Sequence, residues 1–470
     1  MLGSMPPQPT ILADVADEKP AILDAASGDV VTYGDLRATA SDLAGRGFGL
    51  AVLRAENTAA AIAAYASVIE SGIPILIIDR DVEPDALERY LETYRPDLVI
   101  NAGVPDGFAA LEPSPFPGLV AATSDHRTPT HPDLALLLST SGSTGSPKLV
   151  RLSRTAVRSN ATAIVESLGI RESDLTITSL PFSYTYGLSV INSHLVAGAL
   201  VLATEASVVT SEFWELVESR EVVSFAGVPS TYTMLRRMRW TPERYPSLRY
   251  VTQAGGRLSD PDRQHFIDLF EAGGRQFFVM YGQTEATARM TVAQPEDLRR
   301  ILSTAGRALT GGSIEIVDPD ESGSGSVVYS GPNVMLGYAE SAEDLARGDD
   351  MQGRLVTGDL GYLDRDLLVL TGRTKRLVKV FGKRVSLDDV DAWLAERLEA
   401  QAIAVQGEDV IVIFVVGAEE DLAPIRRDLA SYLGVHPTGV VFSSIDQVPL
   451  MSSGKVDLQL LGQWARENRR

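Results

Sequence analysis

The sequence predicts an α/β fold whose later part turns mainly β before a small C-terminal segment. Two observations carry this: short β-rich apolar runs recur between helix-like stretches, and the pattern changes after about Ser313. The runs are PILIID from Pro74, DLVINA from Asp97, LALLLST from Leu134, TITSL from Thr176 and ALVLAT from Ala199. Alternation of this kind predicts largely parallel sheets. Beyond Ser313, short strands with Gly- and Asp-rich turns, as in SIEIVDPDESGSGSVVYSGP, predict a β-rich section. The basic turn GRTKR, Gly372 to Arg376, follows a strand and marks a domain joint. Past it, DDVDAWLAERLEA predicts a helix over Asp388 to Ala400, opening on acids and placing Val390, Trp393, Leu394 and Leu398 on one face.

Composition narrows the function. Of 470 residues 44% are apolar and 22% charged, enough to bury a large core. The chain holds 42 basic and 62 acidic side chains, a formal charge of −20, which opposes binding to a phosphate backbone; no nucleic-acid partner is expected. With no cysteine, disulfides, thiolate catalysis and cysteine-ligated metals are excluded. The five histidines form no metal-ligand spacing and read as surface or packing residues. The longest apolar stretches, such as VIVIFVVGA from Val410, are too short to cross a bilayer, so no membrane span is expected. The start MLGSM lacks the regions of a secretion signal and reads as a tag remnant before Met5, making a cytoplasmic enzyme the class expected.

The strongest motif is STSGSTGSPKLVRLS, Ser139 to Ser153, where eight hydroxyl or glycine residues and a proline precede one lysine between two apolar strands. Glycines let a ligand approach the backbone, the N–H and hydroxyl groups of Ser141, Ser143 and Thr144 can donate to phosphate oxygens, and Lys148 adds charge. A flexible hairpin is the alternative. It is not the G-x-x-x-x-G-K-S/T loop, because Pro147 and Leu149 replace the required glycine and hydroxyl. In FFVMYGQTEATARM, Phe277 to Met290, an aromatic, a glycine, a hydroxyl and a carboxylate close an apolar strand. Tyr281 could stack on adenine, Thr284 donate to phosphate and Glu285 hold magnesium; a plain helix start capped by Thr284 fits equally.

Five motifs stand in one order: STSGSTGSPK, YGQTEA, TGD at Thr357 to Asp359, GRTKRLVKVFGKRV at Gly372 to Val385, and SSGKVD at Ser452 to Asp457. Together they resemble the adenylate-forming superfamily of acyl-CoA synthetases, stand-alone adenylation domains and luciferases, over about Pro132 to Leu460. The resemblance implies a large N-terminal domain of α/β subdomains plus the β-rich section, residues 1–372, and a small mobile α+β C-terminal domain, residues 373–470, joined by a hinge. It implies that Ser141, Gly142, Ser143, Thr144, Gly145 and Lys148 hold the β- and γ-phosphates of ATP. Ala254, Gly255 and Gly256 would edge the adenine beside Tyr281 and Gly282. Asp359 would accept from the ribose hydroxyls, with Arg373 nearby, and Glu285 would bind Mg2+ with Thr284 on the phosphates. Lys455 would be the catalytic lysine, Lys375 the hinge, and Lys379 and Gly382 would border the acceptor tunnel. LPFSYTYGLSV, from Leu180, resembles the carboxylate-pocket segment, so Phe182, Tyr184 and Tyr186 with Phe225 become acyl-pocket candidates; core packing is the alternative for this aromatic run.

These residue types suit activation of an acid. A carboxylate oxygen attacks the α-phosphate of ATP, pyrophosphate leaves, and an acyl-AMP anhydride remains; the ammonium of Lys455 and the metal on Glu285 would neutralise the charge that accumulates at phosphorus. The acyl group then passes to the thiol of coenzyme A or of a carrier protein's phosphopantetheine. Six of the twelve residues from Arg373 to Arg384 are basic and none acidic, which reads as a site for such phosphates or as a solvated face. The chain departs from the family pattern in an early phosphate loop and in Tyr184, where many acyl-CoA synthetases carry histidine. It also lacks the Asp that holds an α-ammonium, which disfavours an α-amino acid. Adenylation of an unusual oxyacid such as nitrite, with transfer to an amine, and a regulatory ATP-binding role are the alternatives.

Overall fold

Two sheets with parallel centres form the large N-terminal part of the protein, described here from a computed structural model. The structure describes residues 11–467 except 113, 116–117, 125–126, 140–147, 382, 399 and 418–421. In the first sheet, strands Pro20–Asp24, Leu200–Ala203, Leu175–Ile177, Ser224–Gly227, Tyr250–Gln253 and Gln276–Tyr281 run parallel in that spatial order. The sheet continues antiparallel through Thr291–Ala293, Thr304–Ala308 and Leu367–Arg373 to Arg354–Asp364, which is the β-rich section the turn pattern predicts. In the second sheet Leu98–Ile100, Ala51–Arg54, Ile75–Ile78 and Leu134–Ser139 are parallel neighbours. Their continuous apolar runs follow from burial on both faces: every residue of Ile75–Ile78 and Leu98–Ile100 is buried.

Helices cover the sheets where the sequence supplies caps. Thr58 caps Ala59–Ser71 and the left-handed Gly72 closes it, so this apolar helix starts and stops on identifiable residues.

Beyond the joint, the hairpin of Leu377–Val380 with Lys383–Ser386 precedes a three-stranded sheet. Its central strand Ile411–Val416 lies antiparallel to Ala402–Gln406 and parallel to Val440–Ile445. This part has its own apolar cluster, including Val378, Val390, Leu394, Ile411, Ile413 and Leu429. The helix predicted over Asp388 to Ala400 is shorter, Leu387–Ala395, with Ser386 as its cap. The N–H groups of Arg397 and Leu398 both turn back to the Leu394 carbonyl, which ends it before the strand Ala402–Gln406. Among the described residues no helix is long and apolar enough to cross a membrane.

Candidate active site

Asp359 collects three donors. Its strand Arg354–Asp364 pairs antiparallel with Leu367–Arg373, bringing Asp359 opposite Arg373, whose Nε lies 2.7 Å from Oδ1. Tyr281 ends the strand Gln276–Tyr281 and donates its hydroxyl to Oδ2, and Gln283 Nε2 donates to the same oxygen at 2.9 Å and to the Thr357 carbonyl at 2.8 Å. The carboxylate is 3% exposed, so these hydrogen bonds replace the water it loses. Burial and the Asp359 charge push the Tyr281 phenol well above its ordinary range, which keeps it a proton donor.

The neighbouring parallel strand Tyr250–Gln253 delivers Ala254, Gly255 and Gly256 beside Tyr281's strand. Gly255 has φ +85, and a Cβ there would lie 2.5 Å from the Tyr184 hydroxyl and 3.3 Å from Cε of Lys455. Both backbone and space therefore require glycine. Gly282 is constrained by space alone, since a Cβ would overlap the Ala288 carbonyl.

A second group of contacts joins Lys148, Glu285 and Tyr338. Lys148 places its ammonium 3.9 Å from the centroid of the Tyr338 ring, whose hydroxyl donates to Glu285 Oε1 at 3.0 Å. Strand Gly337–Ala339 pairs with Leu149–Ser153, which sets Tyr338 beside the lysine. Thr284 opens the short 3-10 turn Thr284–Ala286 and shares a 2.8 Å hydrogen bond with Thr185. Ser141, Gly142, Ser143, Thr144, Gly145 and Gly382 lie outside the described residues.

Lys455 comes from the far end of the chain. Its ammonium sits 4.6 Å from the centroid of the Tyr184 ring, and burial, with Arg373 nearby, lowers its pKa to about 8. Two polar contacts dock its loop: Ser230 Oγ donates to the Gly454 carbonyl at 3.0 Å, and Ser452 Oγ to Asp79 Oδ2 at 3.0 Å. Ser183 donates to the same Asp79 oxygen at 2.8 Å, tying the aromatic segment to that point.

Of the aromatic candidates, Tyr184 meets Lys455 and packs edge to face at 6.1 Å on the buried Tyr186, whose hydroxyl donates to the Thr252 carbonyl at 2.8 Å. Phe182 packs against Tyr65 in the N-terminal core, and Phe225 lies among Phe213, Trp214 and Trp240 on the other face of its strand. For these two, core packing describes the environment. Among the basic run, Arg373 pairs with Asp359 and Arg376 with Asp388 and Asp391, whereas Lys379 and Lys383 are exposed. Lys375 falls in the 3-10 turn Thr374–Arg376 at the joint. Sequence reasoning did not single out Asp79, Thr185, Gln283 and Tyr338, which the structure brings into these contacts. Asp79 carried a readable signal, a carboxylate directly after a buried parallel strand.

A lysine packed on a tyrosine ring, a buried carboxylate held by a tyrosine, and a lysine from the far end of the chain are thus assembled, and the relatives give their class as AMP-forming acid ligases. The chain belongs to the AMP-binding enzyme family, whose model matches residues 12–339. It is 30% identical over 359 residues to oxalate–CoA ligase of Arabidopsis thaliana, covering 71% of this chain and 68% of that protein. It is 29% identical over 353 residues to L-proline–[L-prolyl-carrier protein] ligase of Streptomyces coelicolor, covering 70% and 66%. In fold it resembles ATP-bound MatB from Rhodopseudomonas palustris, with a TM-score of 0.78, 24% identity, and 97% and 98% of the two chains covered.

Proposed function

We propose that Lys455, Lys148, Glu285, Thr284, Asp359 and Arg373 carry out adenylation at this site, in a large domain of residues 1–372 and a small domain of residues 373–470. The enzyme activates a carboxylic acid with ATP as acyl-AMP, releases pyrophosphate and passes the acyl group to a thiol. The observation that carries the assignment is the docking of Lys455 over Tyr184 and beside Gly255, at the mouth between acid and nucleotide. There its ammonium can neutralise charge shared by the attacking carboxylate and the α-phosphate.

Asp359 receives the ribose hydroxyls, with Tyr281 and Gln283 fixing its orientation. Ala254, Gly255, Gly256 and Gly282 leave room for the base. Mg2+ arrives with ATP: Glu285 is oriented by Tyr338, and among the described residues no cluster of three or more metal-ligating side chains is present. One carboxylate fits an ion that takes most of its ligands from phosphates and water. When bound, the ion neutralises phosphate charge.

Coenzyme A is the acceptor we favour, with a carrier phosphopantetheine as the second choice, since one of the two relatives named above acts with each. Lys379 and Lys383, exposed beside the joint, suit the phosphates of either. Reaching the thiol step requires Lys455 to withdraw, which rotation about Lys375 would achieve. The test compares wild type with Lys455→Ala in pyrophosphate exchange and in thioester formation from presynthesised acyl-AMP. Adenylation should fall while transfer survives; equal loss of both would remove the assignment.

A further inference from the structure

Among the described residues, Arg289 has no ion-pair partner. Its side chain is buried at 2% exposure, and its Nε and Nη1 have no hydrogen-bond partner among the described residues. The guanidinium lies 5.1 Å from the centroid of the Tyr186 ring. The titratable groups facing it are Tyr184, Tyr186, Tyr250 and His194. All are neutral near pH 7: burial pushes Tyr186 and Tyr250 up to about 12 and Tyr184 higher still, and lowers His194 to about 4. The nearby Asp174 is already paired with Arg249 at 2.6 Å. Two other arginines have a buried Nε without a hydrogen bond among the described residues, but Arg263 donates Nη1 to the Leu302 carbonyl and Arg376 is paired with Asp388 and Asp391.

The surrounding chain is built to keep Arg289 there. Thr287 and Ala288 both hold positive φ, 54° and 92°, a conformation that side-chain-bearing residues adopt only when their surroundings impose it. Asn333 supplies that constraint by donating to the carbonyls of Ala286 at 2.8 Å and Arg289 at 3.0 Å, while accepting from Thr287 at 2.7 Å. Asn160 donates to the Arg289 carbonyl as well, at 2.7 Å. A buried charge without a partner is costly, and a strained, four-bond support makes sense where the partner is a ligand.

Lys455, Tyr184, Tyr186 and Arg289 are linked in that order by successive side-chain contacts. We infer that Arg289 receives a second carboxylate of the acid substrate, so that the enzyme activates a dicarboxylic acid, one carboxylate reacting beside Lys455 and the other held by the guanidinium. This rests on the acid-ligase reading of the site. A planar guanidinium matches a carboxylate through paired N–H donors, and a monocarboxylic acid would leave those donors buried and unpaired.

The test is pyrophosphate exchange by the full chain over matched acids, butyrate against succinate and glutarate, and benzoate against isophthalate, with nitrite as a separate arm. A dicarboxylate should exceed its matched monoacid by about a hundredfold in kcat/KM, roughly 2.7 kcal/mol. Arg289→Met should erase that preference through KM for the diacid while KM for ATP stays unchanged, and Arg289→Lys should be intermediate. Preference for monoacids or nitrite in the wild type, or equal loss of both members of a pair in a folded Arg289→Met, overturns the inference. If Arg289→Met does not fold, the wild-type panel and Arg289→Lys decide. If no acid supports exchange, the acid-ligase reading falls, and thermal stabilisation by diacid decides the Arg289 site separately: present in wild type and absent in the variant supports it, absent in both overturns it.

Discussion

Lys455, near the end of the chain, holds its ammonium 4.6 Å from the centroid of the Tyr184 ring in the large domain. The contact joins the last motif of the sequence to the segment predicted to line the acid pocket, the arrangement we propose for adenylation. Replacing Lys455 by Ala should lower pyrophosphate exchange by roughly two to three orders of magnitude, the range for a lost electrostatic stabiliser, without lowering Tm.

The same lysine sets a pH dependence. Burial and Arg373 lower its pKa, while Glu285 opposes them, leaving it at about 8. The working form is the ammonium, so kcat/KM for adenylation should decline as pH rises through about 8. In Lys455→Arg, which does not titrate in this range, that decline should be absent; an unchanged alkaline limb would assign it to another group.

Glu285 is oriented by Tyr338 at 3.0 Å. Glu285→Gln keeps the size and removes the charge, so the magnesium concentration for half-maximal activity should rise more than KM for ATP. Titration of activity against free magnesium at saturating ATP measures this, and an unchanged curve would leave Glu285 as part of a turn.

Phe225 tests the partition of the aromatic residues. Within its cluster of Phe213, Trp214 and Trp240, Phe225→Ala should destabilise the fold by about 3–5 kcal/mol. Relative rates over an acid panel should stay as in wild type. A large change in acid selectivity at unaltered Tm would return Phe225 to the pocket.

The proposed rotation at the joint is tested by separating the two half-reactions. Lys375→Pro fixes one dihedral angle, so pyrophosphate exchange should survive while thiol transfer falls by roughly tenfold or more, about 1.4 kcal/mol on that barrier. Single-turnover assays of each step distinguish this from general disruption, which would slow both.

What was legible in the sequence was whatever the chemistry keeps contiguous. The QAGG turn and YGQTEA follow strand ends, and TGD places Asp359 opposite the strand end Arg373, so order along the chain pointed to the candidate site. Asp79 stands after a buried strand, but its meeting with Ser452, 373 residues later, was not legible, nor was the packing of Arg289 on Tyr186, because the partners are distant in the chain. Phe225 illustrates a different limit. Successive residues of a strand face opposite sides, so Ala226 packs with Tyr184 and Tyr186 while Phe225 packs with Trp214. Sequence proximity to the pocket does not say which side a ring takes. The helix after the joint was placed by its acidic start and apolar stripe, but its end depended on the Leu394 carbonyl turning the chain back.

The central claim is that this chain converts ATP and a carboxylic acid to acyl-AMP and pyrophosphate. Its most direct measurement is the nucleotide product formed by the full chain with ATP, magnesium and the acid panel, resolved with and without coenzyme A. The account predicts acid-dependent AMP and pyrophosphate in equal amounts, with acyl-AMP accumulating until a thiol is added. Formation of ADP and phosphate, or nucleotide turnover indifferent to every acid offered, would contradict it.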